Sequence, residues 1–226
     1  AQAAGVVELW LVDVQARRAR KLSNSPMNTI NGSGFGWMPD SKRLIVQLRA
    51  SEKAAPVIDG IPTGPNTQET KPAAGQRQIR TFQDMLKNER DAKLFEHYAS
   101  VQLALLGVNG ESKMLSTPDL FTSVSPSPNG QYLLTQRMER PFSYLVPAFY
   151  FPKQIEVRDI NGKLVHSVAK LPLVEGLPVG NDAVITGVRS IDWRSDAPAS
   201  LVWAEALDGG DPSAAATHRD AVYMQS

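Results

Sequence analysis

Phe35-Gly36-Trp37-Met38-Pro39-Asp40-Ser41-Lys42-Arg43-Leu44-Ile45-Val46 reads as an apolar strand, a proline-aspartate turn and a second apolar strand. Proline sets φ at the first corner, while Asp, Asn or Gly tolerates the second and closes it with its own side chain or backbone. The same order recurs in Ser123-Val124-Ser125-Pro126-Ser127-Pro128-Asn129-Gly130-Gln131-Tyr132-Leu133-Leu134. It recurs again in Ser190-Ile191-Asp192-Trp193-Arg194-Ser195-Asp196, which runs on to Leu201-Val202-Trp203. A second pattern interleaves with the first: Leu9 to Val14, Leu103 to Gly110 and Ile155 to Gly162 are each a strand followed by a turn, two of them Asn-Gly turns. Asn-Gly between apolar runs is the strongest short-range hairpin signal. Hairpin therefore alternates with hairpin, giving four antiparallel strands per unit.

Units of about 40–50 residues built this way are the signature of a β-propeller. The sequence predicts an all-β chain, a partial β-propeller of about three four-stranded antiparallel blades with one helical insertion. Pro39 and Pro128 stand 89 residues apart, and Pro128 and Ser195 stand 67 apart, so two insertions are required. One runs over about 50–100, from the Pro/Gly-rich Ala54–Gly75 into short helices, with Phe82, Met85 and Leu86 on one face and Leu94, Phe95 and Tyr98 on another. The other is a loop at about 171–187 with two prolines and three glycines. Propeller rings need roughly four to eight blades. The expectation is that residues 1–226 form an incomplete propeller domain, with Ala221-Val222-Tyr223-Met224 starting a further strand at its edge.

Composition sets the outer limits. The 24 Lys plus Arg against 23 Asp plus Glu give a net charge of +1, and the one basic cluster, Arg17, Arg18, Arg20 and Lys21, fits a solvated hairpin turn. Nucleic-acid partners need a clustered basic excess, so none is expected. With 42% hydrophobic and 21% charged residues the chain is globular, and its lack of cysteine removes disulfides, thiolate metal sites and a cysteine nucleophile. The longest uncharged apolar stretch, Pro141–Pro152, has 12 residues and three prolines, so no membrane partner is expected.

Five blocks carry a resemblance to a known family: Pro62-Thr63-Gly64-Pro65, Arg80 to Asn88, Arg140-Pro141-Phe142-Ser143-Tyr144-Leu145-Val146-Pro147, Glu205 to Pro212, and His218-Arg219-Asp220-Ala221-Val222-Tyr223. In this order they resemble the glutamyl endopeptidase branch of the prolyl oligopeptidase family of serine peptidases, in the propeller that precedes the catalytic domain. The resemblance implies a propeller over a C-terminal α/β-hydrolase domain, peptide substrates, cleavage after glutamate, no cofactor, and a periplasmic or secreted setting. No Gly-x-Ser-x-Gly nucleophile elbow occurs, the nearest approach being Gly32-Ser33-Gly34, so the chain carries no catalytic residues of its own. It is expected to be a non-catalytic segment that gates peptide access. The alternative is a free-standing propeller-type binding module without hydrolase activity.

Arg140–Pro152 holds five of the chain's 16 aromatic residues, Phe142, Tyr144, Phe149, Tyr150 and Phe151. Two readings are open: packing between blades, or a lining for the peptide chamber. In the second, Arg140 and Tyr144 are the candidate substrate-binding residues. A guanidinium fork matches a carboxylate, and an arginine before proline is held extended. Arg189 and Arg194 read as solvated turn charges, and Glu205, Asp208 and Asp211 around Gly209-Gly210 as a capped turn rather than an EF-hand. His97, His166 and His218 have no metal-ligand spacing, and His218-Arg219-Asp220 lacks the other parts of a kinase catalytic loop. Asn31-Gly32-Ser33 fits a glycosylation sequon, but the glycine run leads into a strand rather than a helix, so it offers no phosphate site.

Overall fold

Leu44, Val46 and Leu48 alternate with Ile45 and Gln47 along one strand, and all five are buried, so neither face of that strand meets water. Successive strand side chains point to opposite faces. Such a strand must therefore lie in a layer covered on both sides. The computed structural model describes residues 2, 3, 5–50, 54–57, 82–177 and 182–226. It opens with a short ribbon, β1 (Gln2–Ala3) on β2 (Val6–Val7), and a hairpin, β3 (Trp10–Asp13) on β4 (Arg18–Lys21). A four-stranded sheet follows, made of β5 (Phe35–Trp37), β6 (Arg43–Arg49), β7 (Val101–Gly107) and β8 (Ser112–Met114). The next four-stranded sheet holds β9 (Phe121–Pro126), β10 (Tyr132–Met138), β11 (Lys153–Asp159) and β12 (Leu164–Leu171). A three-stranded sheet completes the series with β13 (Arg189–Trp193), β14 (Leu201–Ala206) and β15 (Asp220–Gln225). Every pairing is antiparallel and joins strands adjacent in the described order, and none of these sheets closes on itself.

The sheets stack face to face. Leu44, Val46, Leu48, Ala104 and Leu106 pack toward Leu9 and Leu22 of the opening hairpin region, while Ile45, Leu103 and Leu105 on the opposite face pack with Phe121 and Leu133 of the next sheet. Leu134, Ile155 and Val157 then turn the far side of that second sheet toward Val188 and Leu201 of the third. The register of β6 on β7, with Ile45 opposite Leu105 and Val46 opposite Ala104, keeps the two apolar sets on separate faces. A slip of one residue would exchange them. The outermost layers show what happens without a neighbour: Val12 is 60% exposed at one end of the stack and Val222 69% exposed at the other.

The repeated turns meet along one side of the stack. An added Cβ on Gly130 would stand 3.6 Å from Cδ of Pro39, and the Asn129 N–H donates to the Pro198 carbonyl at 3.0 Å. Turns from three successive sheets are thus in register with one another. The Trp193 indole adds a cross-sheet tie, donating to the Ser125 carbonyl at 3.1 Å. Gly162, at φ +86 in the β11–β12 turn, lies so close to the Leu115 carbonyl that a Cβ could not fit.

One expectation is corrected. Phe82, Met85 and Leu86 lie outside the helix: α1 spans Glu89–Ala99, begins where the Asn88 side chain accepts from the Asp91 N–H, and follows a left-handed residue at Asp84. Asn88 offers the N-terminal donors a side-chain acceptor, and the left-handed backbone at Asp84 interrupts any helical run before it. The strand expected at Ala221–Met224 is present as β15, the edge strand of the third sheet, paired with β14 from Leu201↔Gln225 to Ala206↔Asp220. Residues 51–53, 58–81 and 178–181 of the expected insertions, including Pro62–Pro65, lie outside the described residues. Among the described residues no helix is long and apolar enough to cross a membrane.

These features yield two expected outcomes. Gly162→Ala combines a left-handed φ with a backbone collision, whereas Gly110→Ala, at φ +96 with open space around it, meets only the conformational cost. Urea denaturation should give a loss of about 1 kcal/mol for Gly110→Ala and roughly 3 kcal/mol or more for Gly162→Ala. Equal losses would contradict the close approach of the two sheets. The Asp40 carboxylate accepts from the Lys42 N–H at 2.9 Å, the Arg43 N–H at 3.0 Å and Arg43 Nε at 2.6 Å, and these donors, the Lys42 amide foremost, hold its pKa below the ordinary 3.8. Its stabilising effect is complete above the unfolded value and fades as pH falls through the lower folded value. Asp40→Ala should therefore cost stability at pH 7, with a gap from the unaltered chain that narrows below pH 3.8; a gap constant with pH would contradict this.

Candidate functional site

Beyond Met138 the second sheet gives way to a proline-interrupted excursion that returns at Lys153. Pro141, Pro147 and Pro152 each lack an N–H, so the segment cannot continue a ladder, and its backbone is tied locally instead. The Leu145 N–H donates to Ser143 Oγ at 2.9 Å, and the Tyr150 N–H donates to the Pro147 carbonyl at 2.9 Å within a single 3-10 turn, Ala148–Tyr150. Ser143 Oγ in turn donates to Glu175 at 2.6 Å, and the Val174 N–H donates to the Tyr150 carbonyl, which fastens the excursion to the strand exit after β12. The Arg140-Pro141 peptide is cis.

The aromatic side chains fold beneath this backbone against α1. Phe142 stacks on Phe151 with centroids 5.2 Å apart, and Phe95 of the helix meets both edge-on at 5.3 and 6.0 Å. Tilted and edge-to-face pairs suit the ring quadrupole and add about 0.5–1.5 kcal/mol each beyond burial. Phe151 is buried, Phe149 is mostly exposed, and Tyr150 contacts Phe82 at 5.8 Å. Part of the segment is thus a small core of its own, joining Ala99, Leu120, Met138 and Val146.

Arg140 sits on the rim of that core. Its Nε and Nη2 donate to the two carboxylate oxygens of Glu96 at 2.7 and 2.8 Å, a fork-to-fork pair, and Nη1 donates to Glu89 at 3.3 Å. The guanidinium carbon lies 4.8 Å from the centre of the Phe142 ring. Hydrogen bonding to Glu96, then to Glu89, raises the Arg140 pKa and keeps the cation charged throughout the accessible pH range. The group is 42% exposed, so water and salt screen these pairs to about 1 kcal/mol or less each. A second carboxylate can approach without displacing a buried ion pair. Tyr144 follows half-buried, four residues further on the same segment.

Glu89 and Glu96 are the site residues that the sequence reading misses. The signal is their spacing of seven, two turns of α1, which puts both carboxylates on one helix face. Arg194 is bidentate to Asp196 at 3.0 and 2.6 Å at an exposed turn, as a solvated turn charge should be. Arg189 differs: its side chain is only 19% exposed and pairs with Asp220 across β13–β15, because its strand faces the interior of the third layer. Around Gly209-Gly210 the Gly210 N–H donates to Asp208 at 2.8 Å and the Ser213 N–H to Asp211 at 2.9 Å, so these carboxylates cap turn amides. Asn31 Nδ2 donates to the Phe121 carbonyl at 3.2 Å, and the glycine run after it enters β5. Arg17 and its neighbours occupy the β3–β4 hairpin, where the Ala16 N–H donates to Asp13 at 2.8 Å and Lys21 pairs with Glu8 at 2.6 Å. His97 meets the Tyr98 ring and His166 faces Gln225.

No family model matches the chain. It is 39% identical over 224 residues to "Probable glutamyl endopeptidase, chloroplastic" of Oryza sativa subsp. japonica, covering 98% of this chain and 24% of the relative. It is 41% identical over 222 residues to the protein of the same name from Arabidopsis thaliana, covering 96% of this chain and 23% of the relative. The chain spans about a quarter of the length of the curated relatives it matches. The resemblance to glutamyl endopeptidases carried by the five sequence blocks therefore extends over nearly the whole chain.

Proposed function

We propose that this chain is the non-catalytic propeller portion of a glutamyl-endopeptidase-like serine peptidase. Its stacked antiparallel sheets are wedges of a ring that lies over an α/β-hydrolase domain, admits extended peptides and excludes folded ones. The observation that supports this reading best is the identity of 39–41% over nearly the full chain to proteins about four times as long that are named glutamyl endopeptidases. The missing nucleophile elbow agrees with it, since that strained strand-to-helix turn exposes the serine and supplies an oxyanion-hole amide. Acyl transfer to a serine, with a histidine base and an aspartate orienter, would be supplied by the hydrolase domain.

In this reading the rim formed by Arg140 and Tyr144 recognises an acidic side chain of the peptide. Glu96 and Glu89 hold the guanidinium fork in place above Phe142 while the site is empty, and the incoming carboxylate exchanges with them. Exchange of one carboxylate for another at a half-exposed arginine has a small net cost, because the cation never loses a partner. Tyr144, four residues further along the same segment, is assigned an aromatic contact with the peptide.

The test is kinetic. In the intact peptidase, Arg140→Ala should lower kcat/KM for a glutamate-containing peptide by roughly 10- to 100-fold, the loss expected for a charge-assisted hydrogen bond. The same peptide carrying glutamine should lose no more than about threefold. Equal losses on both peptides would assign Arg140 to packing alone.

A further inference from the structure

Among the described residues the Lys153 ammonium group has no anionic partner. It makes no ion pair and donates no hydrogen bond to them, and its amine lies 4.3 Å from the centre of the Phe149 ring. It is partly buried at the start of β11, and that burial lowers its pKa. A cation taken out of water normally finds a carboxylate. This one has an aromatic face on one side and a cavity on the other.

The cavity has a volume of about 460 Å³ and lies between the second and third sheets. Its walls are mostly apolar, among them Phe149, Ile155, Leu171 and Ile191. Lys153 and Arg189 are the charged side chains among its described lining residues, and both are cationic. Arg189 is partly neutralised by Asp220, but its buried Nε finds no acceptor among the described residues. Counting Lys153, Arg189 and Asp220 together leaves one uncompensated positive charge. Pockets of this size, apolar with a few convergent polar groups, suit small ligands or single side chains.

We infer that this cavity binds a single carboxylate on an apolar stem, with Lys153 as its ion-pair partner and Arg189 as the second cation beside it. The charge count selects a monoanion over a phosphate, whose second charge would find no partner. The apolar walls select a stem of several methylenes or a hydrophobic neighbour over a free small anion. The cavity shares Phe149 and Tyr150 with the excursion that carries Arg140, so a chain passing over that rim has a second anchoring point within reach. That the carrier is a peptide rests on the peptidase reading; the cationic cavity itself does not.

The test is calorimetric titration of the full chain with five probes: butyrate, acetyl-Leu-Glu-amide, acetyl-Leu-Gln with a free C-terminal carboxylate, acetyl-Leu-Gln-amide and inorganic phosphate. Butyrate and at least one of the two carboxylate-bearing peptides should bind with one-to-one stoichiometry, while the fully blocked glutamine peptide should not. Which of the two peptides binds more tightly distinguishes a side-chain from a terminal carboxylate. Lys153→Met, which keeps the stem, should weaken binding by about 10- to 100-fold, and Lys153→Arg should restore most of it. If Lys153→Met unfolds, Lys153→Gln takes its place. Absence of binding by every carboxylate probe, unchanged binding in both uncharged variants, or tighter binding of phosphate than of butyrate would overturn the inference. The titration involves no turnover, so its failure is separate from failure of the Arg140 reading, which is scored by peptide kinetics.

Discussion

Burial of both faces of the inner strands of the two four-stranded sheets is the constraint from which the rest of the structure follows. Ile45, Leu103 and Leu105 on one side of their sheet meet Phe121 and Leu133 of the next, and Leu134, Ile155 and Val157 pass the same demand on to the third. Each fully buried side chain of this size contributes about 1.5–3 kcal/mol relative to exposure. None of the sheets could keep that contribution alone. The close approach of Gly162 to Leu115 and of Gly130 to Pro39 reflects the same pressure, since the turns must come as near as the faces do.

The candidate recognition rim depends on this stack indirectly. The second sheet releases its chain after β10 and recovers it at β11, and the three prolines in between prevent the excursion from pairing as a strand. What orders the excursion is the ring cluster of Phe95, Phe142 and Phe151, which requires α1, itself inserted between β6 and β7 of the neighbouring sheet. An element from one sheet thus positions a loop from the next. Arg140 and its two glutamates lie on that junction, and the cavity beneath Lys153 lies on the following one. Both candidate sites occur where successive layers meet.

Much of this was legible in the sequence for a local reason. Pro39-Asp40, Pro128-Asn129-Gly130 and Asn161-Gly162 fix their turns through φ restrictions and side-chain capping within a few residues, so each turn places the strands on either side of it. The near-continuous apolar runs of β6 and β7 likewise announce a strand covered on both faces. What escaped reading is non-local. Arg140 finds Glu96 across 44 positions, and Arg189 finds Asp220 across 31, so neither partner is visible from neighbouring residues. Phe82, Met85 and Leu86 have helical spacing, yet α1 begins only where Asn88 caps it. Lys153 gave no signal at all: a lysine opening a strand looks solvated until Phe149, four residues before it, folds over the amine.

Native-state hydrogen exchange tests the stacked-layer account most directly. If the two four-stranded sheets form one cooperative unit through their shared apolar interface, amides in β6, β7, β10 and β11 should exchange with a common free energy set by global unfolding, while those of β3, β4 and β15 at the ends of the stack exchange earlier. Two separate exchange free energies, one for β6 and β7 and another for β10 and β11, would mean that the sheets fold independently and would contradict the account.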